Sequence, residues 1–329
     1  MQSLQNKKIL LLAPKFFGYE TEIKKELENL GANVLYFDER PKNDFFTKVF
    51  IRLGVKLFTK RKIENYYNEI VNNTEKIDFL FIISPESLTA NIIKNFKKKN
   101  KNLQVILYMW DSFRNKKNSL SLLDVVDRYF TFDSNDLKIR SNIAFLPLFY
   151  TDDYSKISSN SVFKYDISFI GTIHSDRYEI AKQIEAQAKN AGLKTYFFFY
   201  SPSKILFFLQ KLFYTKFRKI PFSDISFVPK SKIEVLDIFC QSKCILDINH
   251  PKQSGLTMRT LETFGAKRKL ITTNQNIKSY DFFNEKNIST LNRESIILNQ
   301  DFIKEDYFEI ESEIYENYSL KLWVRKIFD

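Results

Sequence analysis

One segment places residues suited to phosphate binding where a strand runs into a helix. The stretch from Asp166 to Arg177 has the pattern of a strand that ends near Gly171 and leads into a helix beginning near Ser175. Gly171 lets a ligand approach the backbone, the helix start offers N–H groups to a phosphate, and Arg177 adds positive charge. The alternative is an ordinary strand-to-helix turn with Ser175 as its N-cap and a solvated Arg177. His174, beside this turn, either donates to a phosphate oxygen or is a hydrogen-bonded structural histidine.

A second segment combines a polar loop with a helix that carries an arginine and a glutamate. A strand ends at Asn249, a loop with Ser254 and Gly255 follows, and the next helix carries Arg259 and Glu262 away from its core positions. The start of such a helix can hold a diphosphate, and a carboxylate one or two turns along can accept hydrogen bonds from ribose hydroxyls. The alternative is a surface ion pair between Arg259 and Glu262, which contributes little to stability.

These segments belong to an alternation of strand-like and helix-like patterns, which is typical of parallel sheets covered by helices on both faces. The predicted strands of the first half are Ile9–Ala13, Val34–Phe37, Phe79–Ser84, Val105–Trp110, Tyr129–Phe132 and Ala144–Phe149. Those of the second half are Tyr165–Thr172, Lys194–Tyr200, Ile225–Val228, Cys244–Asn249 and Lys269–Thr273. Helices are predicted between them, among them Glu20–Leu30 and Glu86–Lys99. Because such sheets bind ligands beyond the carboxyl ends of their strands, we expect function in the loops that follow them.

The alternation predicts an α/β protein of two Rossmann-like domains, each built on a doubly wound parallel sheet, that face a cleft. We place the first domain at residues 1–150, a polar linker at 151–162 and the second domain at 163–306. The last segment, 307–329, has a helical pattern and is a candidate to pack back on the first domain.

The net charge of +12 suits nucleic acid, an anionic membrane or a phosphorylated substrate. Two amphipathic stretches carry most of this excess: residues 44–62 contain six Lys and Arg against one Asp, and residues 203–219 contain five Lys and Arg with no acid. Such helices can lie in the interface of an anionic membrane, or their apolar stripes can face the sheets that they cover. We expect no nucleic acid partner, because the sequence has no OB, RRM or KH signature.

Composition restricts the remaining classes. No apolar run approaches the roughly 20 residues of a membrane-spanning helix. The short apolar stretch near the start is broken by Pro14, so we interpret it as a strand rather than a signal sequence and expect a cytoplasmic protein. With two His in all, two Cys expected as buried thiols and no Asp-X-Asp motif, we expect neither a zinc site nor metal dependence.

Two motifs carry a resemblance to a known family. The sequences FIGTIHSDRYE (169–179) and SGLTMRTLETFGAK (254–267) resemble the nucleotide-sugar half of glycosyltransferases with two Rossmann-like domains, the GT-B fold, and are most similar to the CgeB-like branch of the group 1 families. The resemblance covers chiefly residues 165–275, and YMWDSFRN, TFDSND and LPLFYTDDY are similar to that branch less specifically. It implies that the first motif flanks the donor diphosphate, that Glu262 binds ribose and that residues 1–150 form the acceptor side.

The sequence departs from the family pattern at a position that distinguishes retaining from inverting members and at two positions beside the diphosphate. Retaining members of the group 4 type carry two Glu eight positions apart, but Ser254 stands eight positions before Glu262. Thr172 stands where a basic residue is usual after Gly171, and Arg177 stands where a phosphate-binding Lys is frequent. These departures leave phosphate binding in place and favour an inverting reaction over a retaining one.

An inverting transfer needs a base that takes the proton of the acceptor hydroxyl. Asp111 is our candidate, because it directly follows the apolar run Val105–Trp110 and so stands at the carboxyl end of a strand. Glu20, in the loop after the first strand, is the reserve. The alternative for Asp111 is structural: it caps the turn 111–115 or pairs with Arg114.

We therefore expect a metal-independent glycosyltransferase that moves a sugar from a nucleoside diphosphate-sugar to a hydroxyl of a glycan or lipid-linked acceptor in surface polysaccharide biosynthesis. It would work in the cytoplasm, at the inner face of the membrane if the basic helices bind lipid. The expected donor-binding residues are Gly171, Thr172, His174, Arg177, Asn249, Ser254, Gly255, Arg259 and Glu262. No cofactor is expected. Two alternatives stay open: a sugar-nucleotide epimerase or hydrolase of the same fold, and a non-catalytic basic protein that binds lipid or nucleic acid.

Overall fold

The computed structural model describes residues 4–41, 56–157 and 162–329. The chain divides into two units: unit 1 is Met1–Pro147 with Leu320–Asp329, and unit 2 is Leu148–Ser319. Each unit contains one six-stranded sheet whose neighbouring strands are all parallel, with helices between the strands. The predicted α/β class with two Rossmann-like domains is therefore confirmed. Most of the apolar stripe predicted within 44–62 lies outside the described residues.

The sheet of unit 1 has the strand order β2-β1-β3-β4-β5-β6. Its strands are β1 Lys8–Ala13, β2 Asn33–Asp38, β3 Phe79–Ile83, β4 Gln104–Met109, β5 Arg128–Thr131 and β6 Ile143–Phe145. All residues of β3 and all but the first of β4 are buried. Their continuous apolar sequences follow from this position, because helices cover both faces of a parallel sheet.

The helices of unit 1 agree with the prediction except at one start. They are α1 Tyr19–Asn29, α2 Lys56–Asn73 and α3 Ala90–Lys99, with 3-10 helices at Lys117–Leu122 and Ser134–Lys138. α1 ends before Gly31, whose φ of 93° suits a residue without a side chain. α3 begins four residues later than predicted, because the backbone N–H groups of Glu86 and Ser87 donate to the carboxylate of Glu39 instead of starting a helix.

The sheet of unit 2 has the strand order β12-β11-β10-β7-β8-β9. Its strands are β7 Tyr165–Thr172, β8 Thr195–Tyr200, β9 Ile225–Ser226, β10 Ser242–Asp247, β11 Lys269–Thr272 and β12 Ile288–Thr290. Its helices are α4 Asp152–Ser155, α5 Arg177–Asn190, α6 Lys204–Phe213, α7 Thr215–Arg218, α8 Lys232–Cys240, α9 Met258–Gly265, α10 Gln300–Lys304 and α11 Ser312–Glu316. β12 is the strand that the sequence did not predict.

The segment that follows Pro147 belongs to unit 2. We placed residues 151–162 in a linker, but α4 folds within that range and its Tyr154 is buried. The ring of Tyr154 packs edge-on against Phe239 of α8, with ring centroids 5.2 Å apart. The buried ring of Tyr154 thus attaches residues 151–157 to unit 2. The other residues of this segment are mostly polar, which is why the sequence predicted a linker.

The last helix, α12 Leu320–Phe328, returns to unit 1. Its Trp323 is buried against Tyr108 of β4, with ring centroids 4.7 Å apart, and against Phe81 of β3. Phe328 adds edge-on contacts with Phe79 and Phe81. The prediction that the end of the chain packs on the first domain is confirmed, although only the part after Ser319 does so.

Candidate functional site

Unit 2 brings the two segments predicted to bind a donor to one edge of its sheet. β7 and β10 are adjacent parallel strands, so the loops that follow them leave the sheet at the same end. Gly171 lies near the end of β7, and Asn249 lies just after β10. The imidazole rings of His174 and His250, one from each loop, have centroids 5.6 Å apart. The two segments therefore meet at one edge of the sheet.

Arg177, the first residue of α5, links the ends of these two strands. Its Nε and Nη2 donate to the carbonyl of Ile248, and its Nη1 donates to the carbonyl of Thr172 at 3.1 Å. Gly171 leaves room for this arrangement, because a Cβ there would lie 2.7 Å from the ring of Phe169 and 3.3 Å from Nη1 of Arg177. The guanidinium is thus held at the strand ends and is not the solvated side chain of the alternative interpretation.

Two more arginines lie close enough to act on Arg177 electrostatically. Burial is the main reason why the pKa of Arg177 falls to about 10, and Asp247 opposes the fall. The positive charges of Arg259 and Arg293 act in the same direction as burial. The forked donors of guanidinium groups suit an anionic group such as a diphosphate.

Arg293 is a site residue that the sequence analysis missed. It follows β12 and reaches across the sheet edge, where Nη1 pairs with Asp176 at 2.7 Å and Nη2 donates to Asn249 and to Oγ1 of Thr273. It thereby connects residues that follow β7, β10 and β11. The three residues of β12 form no apolar run long enough to predict a strand, so nothing marked Arg293 as the residue beyond one.

The first turn of α5 differs from the prediction in its cap. Ser175 has a left-handed φ of 49°, and Asp176 rather than Ser175 occupies the N-cap position. Burial alone would raise the pKa of Asp176, but the hydrogen bond and charge of Arg293 outweigh burial and lower it. A carboxylate therefore stands at the helix start predicted to hold a phosphate, and Arg293 neutralises it.

His174 is neutral in this environment. Burial, followed by the positive charges of Arg177 and His250, lowers the pKa of His174 to about 3. Its Nδ1 lies 3.0 Å from Oγ of Ser175. The hydroxyl of Ser175 also lies 3.2 Å from Oδ1 of Asp176, so Nε2 of the neutral imidazole can donate to a ligand oxygen only when that hydroxyl turns its hydrogen to Nδ1 of His174.

A buried carboxylate fixes the start of α9. The helix begins at Met258 with Thr257 as its N-cap, and the hydroxyls of Thr257 and Thr260 both donate to Oδ2 of Asp247, at 2.6 and 2.7 Å. Asp247 is the last residue of β10, so strand and helix are coupled directly. The helix start therefore lies three residues beyond Gly255.

The polar loop itself is tied to its neighbours through backbone carbonyls. Nδ2 of Asn274 donates to the carbonyls of Ser254 and Gly255, each at 3.2 Å. Nδ2 of Asn249 donates to the carbonyl of Gln253, while Oδ1 of Asn249 accepts from Arg293 and Thr273. Asn249, Ser254 and Gly255 thus lie at the shared edge, with Asn249 organising the loop.

Glu262 forms an ion pair that is largely shielded from solvent. Its Oε2 lies 2.8 Å from Nη1 of Arg259, and its side chain is 6% exposed. The hydroxyl of Tyr154 hydrogen-bonds both partners, and the guanidinium of Arg259 lies over the ring of Phe239. The pair predicted as the alternative to ribose binding exists, but it is not the weak surface pair that we described.

In unit 1, both candidate bases lie beyond the carboxyl ends of strands and both accept local hydrogen bonds. Oδ1 of Asp111 accepts from the backbone N–H of Ser112 and from Nδ2 of Asn115 at 2.9 and 2.8 Å, so Asp111 caps its turn. Glu20 lies in the first turn of α1 and not in the loop where we placed it, and its Oε2 accepts from the backbone N–H of Phe16 at 3.1 Å. Capping leaves Oδ2 of Asp111 out of these two hydrogen bonds.

An aromatic cluster lies beside these carboxylates and was not predicted. Phe16 and Phe17 follow β1 and are 46% and 68% exposed, and the ring centroids of Phe16 and Trp110 lie 6.2 Å apart. Tyr19 packs on Trp110 at 5.6 Å. Phe17 has a φ of 53°, a conformation that costs a bulky residue free energy. Exposed rings held in this way favour a binding surface over a core.

Glu39 of unit 1 is a buried carboxyl group that the sequence analysis did not single out. Burial raises the pKa of Glu39 to about 7, although Ser87 and Arg40 oppose the rise. Its Oε2 accepts from the backbone N–H groups of Glu86 and Ser87. Because its side chain is fully buried, Glu39 organises the loop after β3 and does not face a ligand.

Among the described residues, no three His, Cys, Asp or Glu side chains gather as a metal site requires. Within residues 4–41, 56–157 and 162–329, no helix has both the length and the apolar content needed to cross a bilayer.

Comparison with known proteins identifies the fold. No protein-family model and no curated protein matches the sequence. Solved structures similar over 98% of this chain include a glycosyltransferase from Rickettsia africae (16% identity, TM-score 0.53, 96% of that chain) and the UDP-GlcNAc 2-epimerase of Methanocaldococcus jannaschii (11%, 0.53, 99%). The Anabaena protein HepE, solved in complex with UDP and glucose, is similar over 87% of this chain and 86% of its own (9%, 0.51). At these identities the likeness shows the fold alone: the chain has two Rossmann-like domains of the GT-B type.

Proposed function

We propose that the protein is a glycosyltransferase whose donor is a nucleoside diphosphate-sugar. The observation that carries the proposal is that Arg177 and Arg293 are held by hydrogen bonds at the carboxyl edge of one sheet, where α5 and α9 begin and where Arg259 stands in the first turn of α9. Charged forks together with helix starts are what a diphosphate needs, because each contributes donors and positive potential. The GT-B fold is compatible with this function and does not by itself establish it.

In this proposal the hydrogen bonds already present prepare the site for its donor. Arg177 is held by two carbonyls and so loses little entropy when it contacts a phosphate. Arg293 exchanges its contact with Asp176 for the diphosphate, or shares it. Glu262 accepts hydrogen bonds from ribose hydroxyls beside its contact with Arg259, and His174 donates to a phosphate oxygen. Gly171, Thr172, Asn249, Ser254 and Gly255 line the same edge.

We propose further that the transfer inverts the anomeric centre and needs no metal. The acceptor hydroxyl attacks the anomeric carbon, its proton passes to the carboxylate of Asp111, and the nucleoside diphosphate leaves with the bonding electrons. Arg177, Arg259 and Arg293 stabilise the charge that develops on the leaving group. Glu20 is the reserve for the base.

For the acceptor we propose a glycan or a lipid-linked sugar of surface polysaccharide. The exposed rings of Phe16 and Phe17 beside Trp110 offer flat apolar surfaces, and such rings also pack on the apolar face of a sugar. They stand at the same carboxyl edge of unit 1 as Asp111 and Glu20.

The proposal is tested by release of nucleoside diphosphate from a panel of nucleotide sugars, with and without glycan acceptors and with EDTA. We expect release that depends on an acceptor and persists in EDTA. Binding of donors without transfer to any acceptor, or full loss of activity in EDTA that Mg²⁺ restores, would contradict the respective part of the proposal.

A sugar-nucleotide epimerase is the second candidate, because the chain matches a UDP-GlcNAc 2-epimerase over its length with the same TM-score as a glycosyltransferase. Incubation with UDP-GlcNAc alone, followed by NMR of the sugar, separates the two. Inversion at C2 without an acceptor would favour the epimerase.

A further inference from the structure

The helix α6 of unit 2 presents its apolar side chains to solvent. Five of them are exposed: Ile205 (73%), Phe208 (51%), Leu209 (41%), Leu212 (52%) and Phe213 (75%). At 100° per residue these five positions fall within an arc of about 140° on one face of the helix. The same five formed the stripe that the sequence left open between a core-facing and a membrane-facing helix, and in this structure the stripe does not face the core.

Phe207 is the buried side chain of α6, and it attaches the helix to its unit from the opposite face. Phe207 is fully buried, and its ring packs on Phe222 and Phe227 with centroids 4.8 and 6.1 Å apart. A helix that covers a sheet normally buries its apolar stripe and exposes its polar residues. α6 instead exposes its apolar stripe, so the outer face of this helix requires a separate explanation.

Basic residues accompany this apolar face. Residues 203–219 contain no acid, and Lys204, Lys216, Arg218 and Lys219 are exposed. The fifth basic residue, Lys211, instead donates from Nζ to the carbonyls of Arg218 and Ile220 and thereby holds α7 against the end of α6. The segment therefore combines an exposed apolar face with exposed positive charge, and Arg218 reaches the carbonyl of Leu212 at the end of that face. Such a combination complements an apolar phase bordered by negative charge.

We propose that the outer face of α6 docks on an anionic lipid membrane. Ten residues of helix measure about 15 Å, half of the hydrocarbon thickness, so α6 lies in the interface plane and does not cross it. Phe208, Leu212 and Phe213 enter the boundary between head groups and acyl chains, and Lys216 and Lys219 contact the anionic head groups. The inference does not depend on the proposed chemistry, because none of these residues belongs to the donor site.

Sedimentation with vesicles tests the proposal. The full chain at low salt should bind vesicles of phosphatidylcholine with 30% phosphatidylglycerol and bind pure phosphatidylcholine far more weakly. Leu212→Gln with Phe213→Gln should weaken binding at least about tenfold, since two apolar side chains leave the interface. Lys216→Gln with Lys219→Gln should weaken it about 25-fold, at about fivefold per charge.

Matched controls remove the same kinds of side chain elsewhere on unit 2. Ile297→Gln removes another exposed apolar residue, and Lys189→Gln with Lys278→Gln removes two exposed charges; both should bind like the wild type.

Wild-type protein that stays in solution with anionic vesicles would overturn the proposal, as would α6 variants that bind unchanged. A dimer in light scattering that the α6 variants dissociate, without vesicle binding, would assign the face to a second copy of the chain. Thermal stabilisation by nucleoside diphosphates should be the same in every variant, so failure here is distinguishable from failure of the donor site.

Discussion

At the scale of single residues, Glu262 is where donor recognition is most sharply testable. Glu262→Gln keeps the shape of the side chain but removes its charge, and a hydrogen bond to a charged acceptor is stronger than one to a neutral amide. We expect the affinity for nucleoside diphosphates to fall about tenfold by titration calorimetry. Glu285→Gln, at an exposed position before β12, should leave the affinity unchanged. Equal affinities for wild type and Glu262→Gln would reject the role in ribose binding.

A substitution at Asp111 distinguishes the chemical step of the transfer from donor binding. Asp111→Asn retains an Oδ1 that accepts the hydrogen bonds of Ser112 and Asn115, so the turn should persist. Because the amide cannot take the proton of the acceptor, the transfer rate should fall by a factor of about 100 or more while donor affinity is kept. Full transfer activity in Asp111→Asn would remove it as the base, and a loss confined to Glu20→Gln would transfer the role to Glu20.

Glu39 gives unit 1 a pH-dependent stability. Burial raises the pKa of Glu39 to about 7 from an ordinary 4.5, so between these values the folded state binds a proton that the unfolded state has lost. The stabilisation is fully present below about pH 4.5 and is lost as the pH rises through about 7, an effect on the order of 3 kcal/mol. In urea unfolding at pH 5 and pH 8, Glu39→Gln should lack this part of the pH dependence. An identical slope in the variant would contradict it.

At the scale of elements, α12 is expected to stabilise unit 1 specifically. Trp323→Ala removes the ring that packs on Tyr108 and Phe81 and should cost about 3–5 kcal/mol. Hydrogen exchange should then lose protection in β3 and β4, while β10 and β11 of unit 2 keep theirs. Loss of protection that begins in β10 or β11 would show that α12 supports the other unit.

The elements that the sequence predicts are those whose signals are local. β3 and β4 are nearly continuous apolar runs, and the Gly31 that follows α1 is a residue-specific signal. The start of α3 was misplaced because Glu39, far away in sequence, takes the N–H groups of its loop.

The residues of the candidate site could likewise be predicted only where their signal is local in the sequence. Gly171 and Arg177 could be placed from the pattern of strand, turn and helix, but the hold of Asp247 on α9 depends on strand and helix packing in space. Arg293 could not be found, because the short β12 before it has no apolar run and its partners lie on three other loops.

At the scale of the whole molecule, the two units divide the proposed work. The edge of unit 2 concentrates the arginines that suit a diphosphate, whereas the edge of unit 1 carries Asp111, Glu20 and the exposed rings. The division explains why donor binding can be measured without an acceptor, since the proposed donor contacts all come from unit 2.

Thermal unfolding with and without nucleoside diphosphates is therefore the most direct test of the central claim. At a concentration 100 times its Kd, a ligand that binds only the folded state stabilises it by about 2.7 kcal/mol, which is a readily measured rise in Tm. We predict that at least one nucleoside diphosphate raises the Tm, that the corresponding nucleoside without phosphates does not, and that Arg177→Gln abolishes the rise. No shift with any nucleoside diphosphate at millimolar concentration would contradict the assignment of this edge as a diphosphate site.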